Sequence, residues 1–174
     1  MATVQKQIDT TAVLGVKVTC LEGAAAGGQD TPITVEMELI PGAESILHRH
    51  PNQDERYEVI FGTIDLFVDS AWRQLRSGHT LTIPKGAAHA FRNSSSALVK
   101  TLNTHTPRLR FEEYLLVMEQ LIRQGKVTGA KGLKNSLYLS LHGVKYQHEV
   151  VAVRPPMWLI RMGAAFARIC GLKL

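Results

Sequence analysis

Residues Gly42–Gly62 read GAESILHRHPNQDERYEVIFG, and Gly78–Asn93 read GHTLTIPKGAAHAFRN. Reduced to spacing, they are Gly42-x5-His48-x-His50-x4-Glu55-x6-Gly62 and Gly78-x5-Pro84-x-Gly86-x2-His89-x3-Asn93. His48 and His50 are two apart, so on a strand both side chains point to one face. Glu55 follows across a short loop containing Pro51 and Asn52. Gly62 and Gly78 permit tight turns, and Pro84-x-Gly86 bends the chain before the strand that delivers His89. Three neutral imidazoles and one carboxylate on a shared interior face make a site for one divalent transition metal. Fe, Mn, Ni or Co suits such a set in octahedral geometry with two open positions, and Zn or Cu could use the same ligands with altered geometry. No cysteine joins the set, so thiolate-rich zinc and iron–sulfur centres are excluded there.

The flanking chain reads as strands. Thr34–Leu39 (TVEMEL) alternates, with Val35, Met37 and Leu39 on one face and Glu36 and Glu38 on the other. Tyr57–Phe61 and Ile64–Val68 flank Gly62-Thr63, which reads as a hairpin turn. Leu81–Ile83, Ala88–Arg92 and Leu98–Asn103 continue the pattern at the short spacing of an antiparallel sandwich or barrel. Every position of the two signature motifs of the cupin superfamily is filled in the quoted stretches, and over about residues 30–110 the chain resembles that family. In outline it is similar to small single-domain bacterial cupins with an apolar C-terminal helix. The resemblance implies a mainly β fold: an antiparallel jelly-roll β-barrel (double-stranded β-helix) over 1–110, with a C-terminal α-helical extension over 111–174. It also implies a homodimer and His48, His50, Glu55 and His89 as metal ligands.

Strand parity nominates a pocket around that centre. Regular strands would point Val35, Met37, Leu39, Ile46, Tyr57, Val59, Phe61 and Phe91 inward, and of these Met37, Ile46, Phe61 and Phe91, with Asn103, are the candidate substrate contacts. Glu44 shares parity with Ile46 and His48, and Thr101, Asn103 and His105 share a face of the last strand. Glu44, Tyr57 and His105 are therefore the candidate acid–base groups. His79, His142 and His148 read as surface histidines.

Beyond Arg110 the period changes. Phe111, Leu115, Met118, Leu121 and Ile122 recur at helical spacing before Gly125, and Leu133, Leu137, Leu141 and Val144 suggest a second helix. Pro155-Pro156 opens a third, through Cys170, rich in Met157, Trp158, Leu159, Ile160, Met162, Phe166 and Ile169, with Arg154, Arg161 and Arg168 seven apart. A helix so apolar reads first as buried against the β-structure or a dimer mate, and alternatively as peripheral membrane contact through 155–172.

Charge follows the same division. Residues 1–99 carry eight Lys or Arg against eleven Asp or Glu, a net of −3, and residues 100–174 carry twelve against four, a net of +8. Nucleic acid is not the expected partner, because the basic half offers neither a recognisable reading helix nor an aromatic platform. P-loop, dinucleotide and G-x-S-x-G motifs are absent. Cys20 and Cys170 cannot form a disulfide framework, the N-terminal MATVQKQIDT has no signal-peptide pattern, and no 18-residue apolar run exists, so the expected location is the cytoplasm. Residues 23–28 (GAAAGG) read as a flexible loop. The function expected is metal-dependent, dioxygenase-like oxidation of a small organic substrate. A metal-dependent isomerase or decarboxylase and a non-catalytic ligand-binding or sensor protein are the alternatives.

Overall fold

A computed structural model describes residues 4–21 and 28–174; most of the GAAAGG stretch lies outside the described residues. The alternation that opened the strand reading sets the first layer. In β3 (Ile33–Leu39) every second residue is buried, from Ile33 to Leu39. Around it, β1 (Val4–Asp9), β2 (Val16–Leu21), β5 (Asp54–Phe61), β8 (Thr80–Ile83) and β10 (Val99–Thr106) complete an antiparallel sheet ordered β1-β2-β3-β10-β5-β8. Facing it is a sheet ordered β7-β6-β9, from β6 (Thr63–Val68), β7 (Ala71–Arg76) and β9 (Ala90–Arg92). A one-turn helix, α1 (Thr11–Leu14), joins β1 to β2, and the two-residue β4 (His48–Arg49) pairs with β11 (Val151–Ala152). The core lies between the sheets, with Ile33, Val35, Leu39, Tyr57 and Val59 from one meeting Ile64, Leu66 and Val68 from the other. The architecture is thus the expected mainly β, antiparallel jelly roll, but its ladders form separate sheets and do not close into a continuous barrel.

Two local expectations fail for identifiable reasons. Gly62-Thr63 is not a hairpin: β5 pairs with β10 and β8, and β6 with β7 and β9, so at Gly62 (φ +84°) the chain crosses from one sheet to the other. The true hairpin is at Asp69-Ser70, both at positive φ, between the paired Val68 and Ala71, as a type I′ turn requires. Phe61 does not point inward. The register steps from Thr101↔Val59 to Lys100↔Phe61, leaving Ile60 as an extra residue, and this bulge turns Phe61 outward, 57% exposed.

The remaining helices are α2 (Phe111–Arg123), α3 (Leu133–Lys145) and α4 (Met157–Ile169). Glu112 and Glu113 at the start of α2 and Arg123 at its end match the helix dipole. Phe111 joins the core between the sheets, and Leu121, Val127, Tyr138, Leu141, Ala164 and Ala167 form a second core. In α4 only Ala164 and Ala167 are fully buried, in the second core, so within the chain the helix is not buried on most of its girth and does not pack on the β-structure as expected. His142 is also corrected: it is buried at the α2–α3 contact, its Nε2 bonded to the Tyr114 carbonyl at 3.0 Å, whereas His79 and His148 are exposed as expected.

Candidate metal centre

Four side chains converge between the sheets. The ligand-type atoms of His48, His50, Glu55 and His89 all lie within 4.8 Å of one another, and all four residues are buried. Backbone pairing creates this convergence. His48 and His89 form a reciprocal bridge, N–H to carbonyl at 2.9 and 2.8 Å in the two directions, joining the two motifs directly. Glu55 arrives on β5, and Asn93 closes the second motif by donating from Nδ2 to the carbonyls of Leu39 and Ala97.

Each of the three imidazoles is anchored through Nδ1. His48 Nδ1 lies 2.8 Å from the Ile46 carbonyl, His50 Nδ1 2.7 Å from the Glu149 carbonyl, and His89 Nδ1 2.9 Å from the Ala87 carbonyl. A carbonyl only accepts, so each Nδ1 carries the proton and each Nε2 is turned to the centre. There, His50 Nε2, His89 Nε2 and Glu55 Oε2 are buried without a hydrogen-bond partner. His89 Nε2 is 2.6 Å and His50 Nε2 3.4 Å from Glu55 Oε2, contacts between acceptors that call for a proton or a cation between them. The residues present therefore fit a divalent ion.

Electrostatics agree. Burial, with the charges of His89 and His50, lowers the pKa of His48 to about 3, so it stays neutral as a ligand must. Burial would raise Glu55, but the His50 charge and the closeness of the His50 and His89 rings to its Oε2 hold its carboxyl well below the usual range. Burial would lower His89, but the Glu55 carboxylate 2.6 Å from its Nε2 raises it, so without an ion this pair favours a proton that a divalent cation would displace.

A second row of polar groups stands on β10. His105 is directly opposite Glu55 in register and Asn103 opposite Tyr57. Asn103 Nδ2 donates to Glu55 Oε1 at 2.8 Å, and His105 Nε2 donates to Asn103 Oδ1 at 2.7 Å. This leaves His105 Nδ1 buried and without a partner. Burial holds the His105 imidazole well below its ordinary pKa and pushes the Tyr57 phenol well above its own. Phe111 of α2 stacks on His105, ring centroids 3.6 Å apart.

Met37, Phe91, Asn103, Tyr57 and His105 are thus interior, as parity suggested. Glu44 and Ile46 are not. Regular strand is confined to His48–Arg49, parity does not extend back to them, and both are exposed, Ile46 by 60%. The groups sequence reasoning missed come from the extension: the Glu149 carbonyl on His50, the His148 carbonyl accepting from Asn52 Nδ2 at 3.0 Å, and β11 alongside His48. Main-chain acceptors have no residue signature, and only the pairing of β11 with β4 reveals them.

Comparison with known proteins agrees with this picture. The sequence profile of the cupin domain matches residues 35–105. The structure is similar to KdgF from a Halomonas species, at 16% identity and a TM-score of 0.53 over 62% of this chain and 91% of that one. It is also similar to an RmlC-like cupin from Shewanella frigidimarina, at 20% identity and a TM-score of 0.50 over 59% and 83% of the two chains. An oxalate oxidase matches at 22% identity and a TM-score of 0.52 over 62% of this chain and 59% of its own. At these identities the likeness is one of fold. No curated protein sequence matches the chain.

Proposed function

We propose, from the match of residues 35–105 to the cupin domain and the jelly-roll fold that carries it, that the protein is a metal-dependent enzyme of the cupin superfamily carrying out dioxygenase-like oxidation of a small organic molecule. His48, His50, Glu55 and His89 hold one divalent transition metal ion, and Fe, Mn, Ni, Co or Zn can use these donors. The observation that carries this reading is the set of three imidazoles fixed by carbonyls at Nδ1, with buried, unpaired Nε2 and carboxylate atoms between them. When bound, the ion supplies Lewis-acid polarisation of a substrate oxygen and one-electron chemistry toward dioxygen. The chain's part is to keep His48 neutral, to orient Glu55 through Asn103, and to cover His50 and His105 with the Phe111 ring.

One observation favours a second reading. His105 Nδ1 is buried, unpaired and part of the array around Glu55, with Tyr57 beside it, as an acid–base step of an isomerase or decarboxylase would need. Anaerobic loading with Fe(II), followed by oxygen uptake over catechols, thiols and keto acids, separates the readings. The first predicts substrate-dependent uptake that is lost in His50→Ala. Turnover without dioxygen transfers the assignment to the second. Saturable ligand binding without turnover, whatever the metal, makes the protein a binding or sensor module.

A further inference from the structure

The outward side of α4 is the apolar one. Trp158, Met162, Ala165 and Ile169 follow at intervals of four, three and four, so they share one line of the helix, with Phe166 beside it. Trp158 is 62%, Met162 60%, Phe166 52% and Ile169 82% exposed, while the opposite line, Ala164 and Ala167, packs into the second core. Arg161 and Arg168, seven apart, run along one side of this apolar line, and Arg154 precedes the helix. Arg161 donates to Gln147 Oε1 at 2.9 Å, and among the described residues Arg154, Arg168 and Lys173 take part in no ion pair. Over residues 121–174 there are nine Lys or Arg and one acid, Glu149, which is buried.

We propose that α4 lies flat on an anionic lipid surface, seating the protein there through its exposed apolar line and flanking cations. This reading is independent of the metal centre. A helix of 13 residues is about 20 Å long, and among the described residues no helix is long and apolar enough to cross a membrane. Aromatic and aliphatic side chains outward, with arginines along one edge, is an arrangement that lets such a helix lie in the interface plane. Charge decides between occupants. A second copy docking through the same face would bring together two segments (residues 121–174) of net +8 each, whereas anionic headgroups complement them. Beside α4, a cleft of about 310 Å³ is lined by Leu141, Leu172 and Leu174 with Lys145, Arg168 and Lys173. Lys145 already pairs with Glu113 at 3.2 Å, leaving Arg168 and Lys173 to meet a phosphate-bearing headgroup whose chain lies along the leucines.

The test uses the full chain with vesicles of phosphatidylcholine alone and of phosphatidylcholine with phosphatidylglycerol. Sedimentation should show at least about ten-fold stronger partitioning onto the anionic vesicles, weakening as salt is added. Met162→Glu with Phe166→Glu changes two exposed side chains and should abolish it; Arg168→Gln, the milder variant, should reduce it about five-fold. In a Trp72→Phe background, Trp158 fluorescence should shift to the blue on anionic vesicles only. Equal partitioning onto both vesicle types, no partitioning, or unchanged binding by the Met162/Phe166 variant overturns the proposal. So does light scattering that finds a wild-type dimer and a monomeric Met162/Phe166 variant without vesicle binding, which makes the face a contact between copies.

Discussion

His142 supplies a pH dependence that can be worked out from its surroundings. It is 2% exposed, packed against Tyr114 and Tyr146 with ring centroids 4.7 and 4.9 Å away, and its Nε2 donates to the Tyr114 carbonyl. Burial lowers its pKa from 6.5 to about 4, against the opposing effect of that hydrogen bond. Above pH 6.5 the imidazole is neutral in both the folded and the unfolded chain, and stability does not depend on it. Between pH 6.5 and about 4 the unfolded chain takes up a proton that the folded protein refuses, so stability falls as pH falls. At 1.36 kcal/mol per unit, the full loss is about 3 kcal/mol, levelling off below pH 4. His142→Gln keeps an amide donor for the Tyr114 carbonyl and removes the titration. Urea unfolding with chelator present, at several values between pH 7.5 and 4, should find wild type losing about 3 kcal/mol more than the variant over that range. His48 and His105 titrate in the same direction in both proteins and cancel in the comparison. Parallel stability curves for the two proteins would refute the reasoning.

Other expectations concern packing and the site. A Cβ at Gly163 would lie 2.7 Å from Ser140 Oγ and 3.2 Å from its Cβ. Gly163→Ala should therefore lower Tm despite the gain of about 1 kcal/mol in helix propensity, and adding Ser140→Ala should restore most of the loss; a raised Tm in the single variant contradicts the close α3–α4 contact. Asn103→Ala frees Glu55 Oε1 and should weaken metal affinity about ten- to hundred-fold in a chelator competition, whereas unchanged affinity would mean Asn103 does not orient the carboxylate. Divalent metal at a hundred times its Kd should stabilise the fold by about 2.7 kcal/mol, raising Tm by about 5–10 °C reversibly with EDTA; no shift with any of the metals named argues against a site formed in the folded state.

What could be read from residues alone was whatever is local and periodic. The burial of Val35, Met37 and Leu39 follows from two-residue alternation, and Thr101, Asn103 and His105 share the interior face because β10 is regular. Parity failed where a register shift beside Ile60 reversed Phe61, and where Glu44 and Ile46 lie outside regular strand. Gly62 between two apolar runs reads alike whether the runs pair or part, since sheet membership is decided by non-local partners. The environments of His142 and α4 depended on which faces the helices would present to one another, which composition does not encode. The Glu149 carbonyl that orients His50 was invisible for a simpler reason: any residue offers a carbonyl, and its placement required β11 to pair with β4.

The central claim is that His48, His50, Glu55 and His89 bind one divalent transition metal. Elemental analysis of the purified protein, dialysed and reloaded anaerobically, tests it directly beside His50→Ala and Glu55→Gln. The account predicts one ion per chain in the wild type and loss of stoichiometric metal in both variants, with far-UV circular dichroism unchanged. Full metal content in either variant, or none in a folded wild-type protein under any of the metals offered, would contradict it.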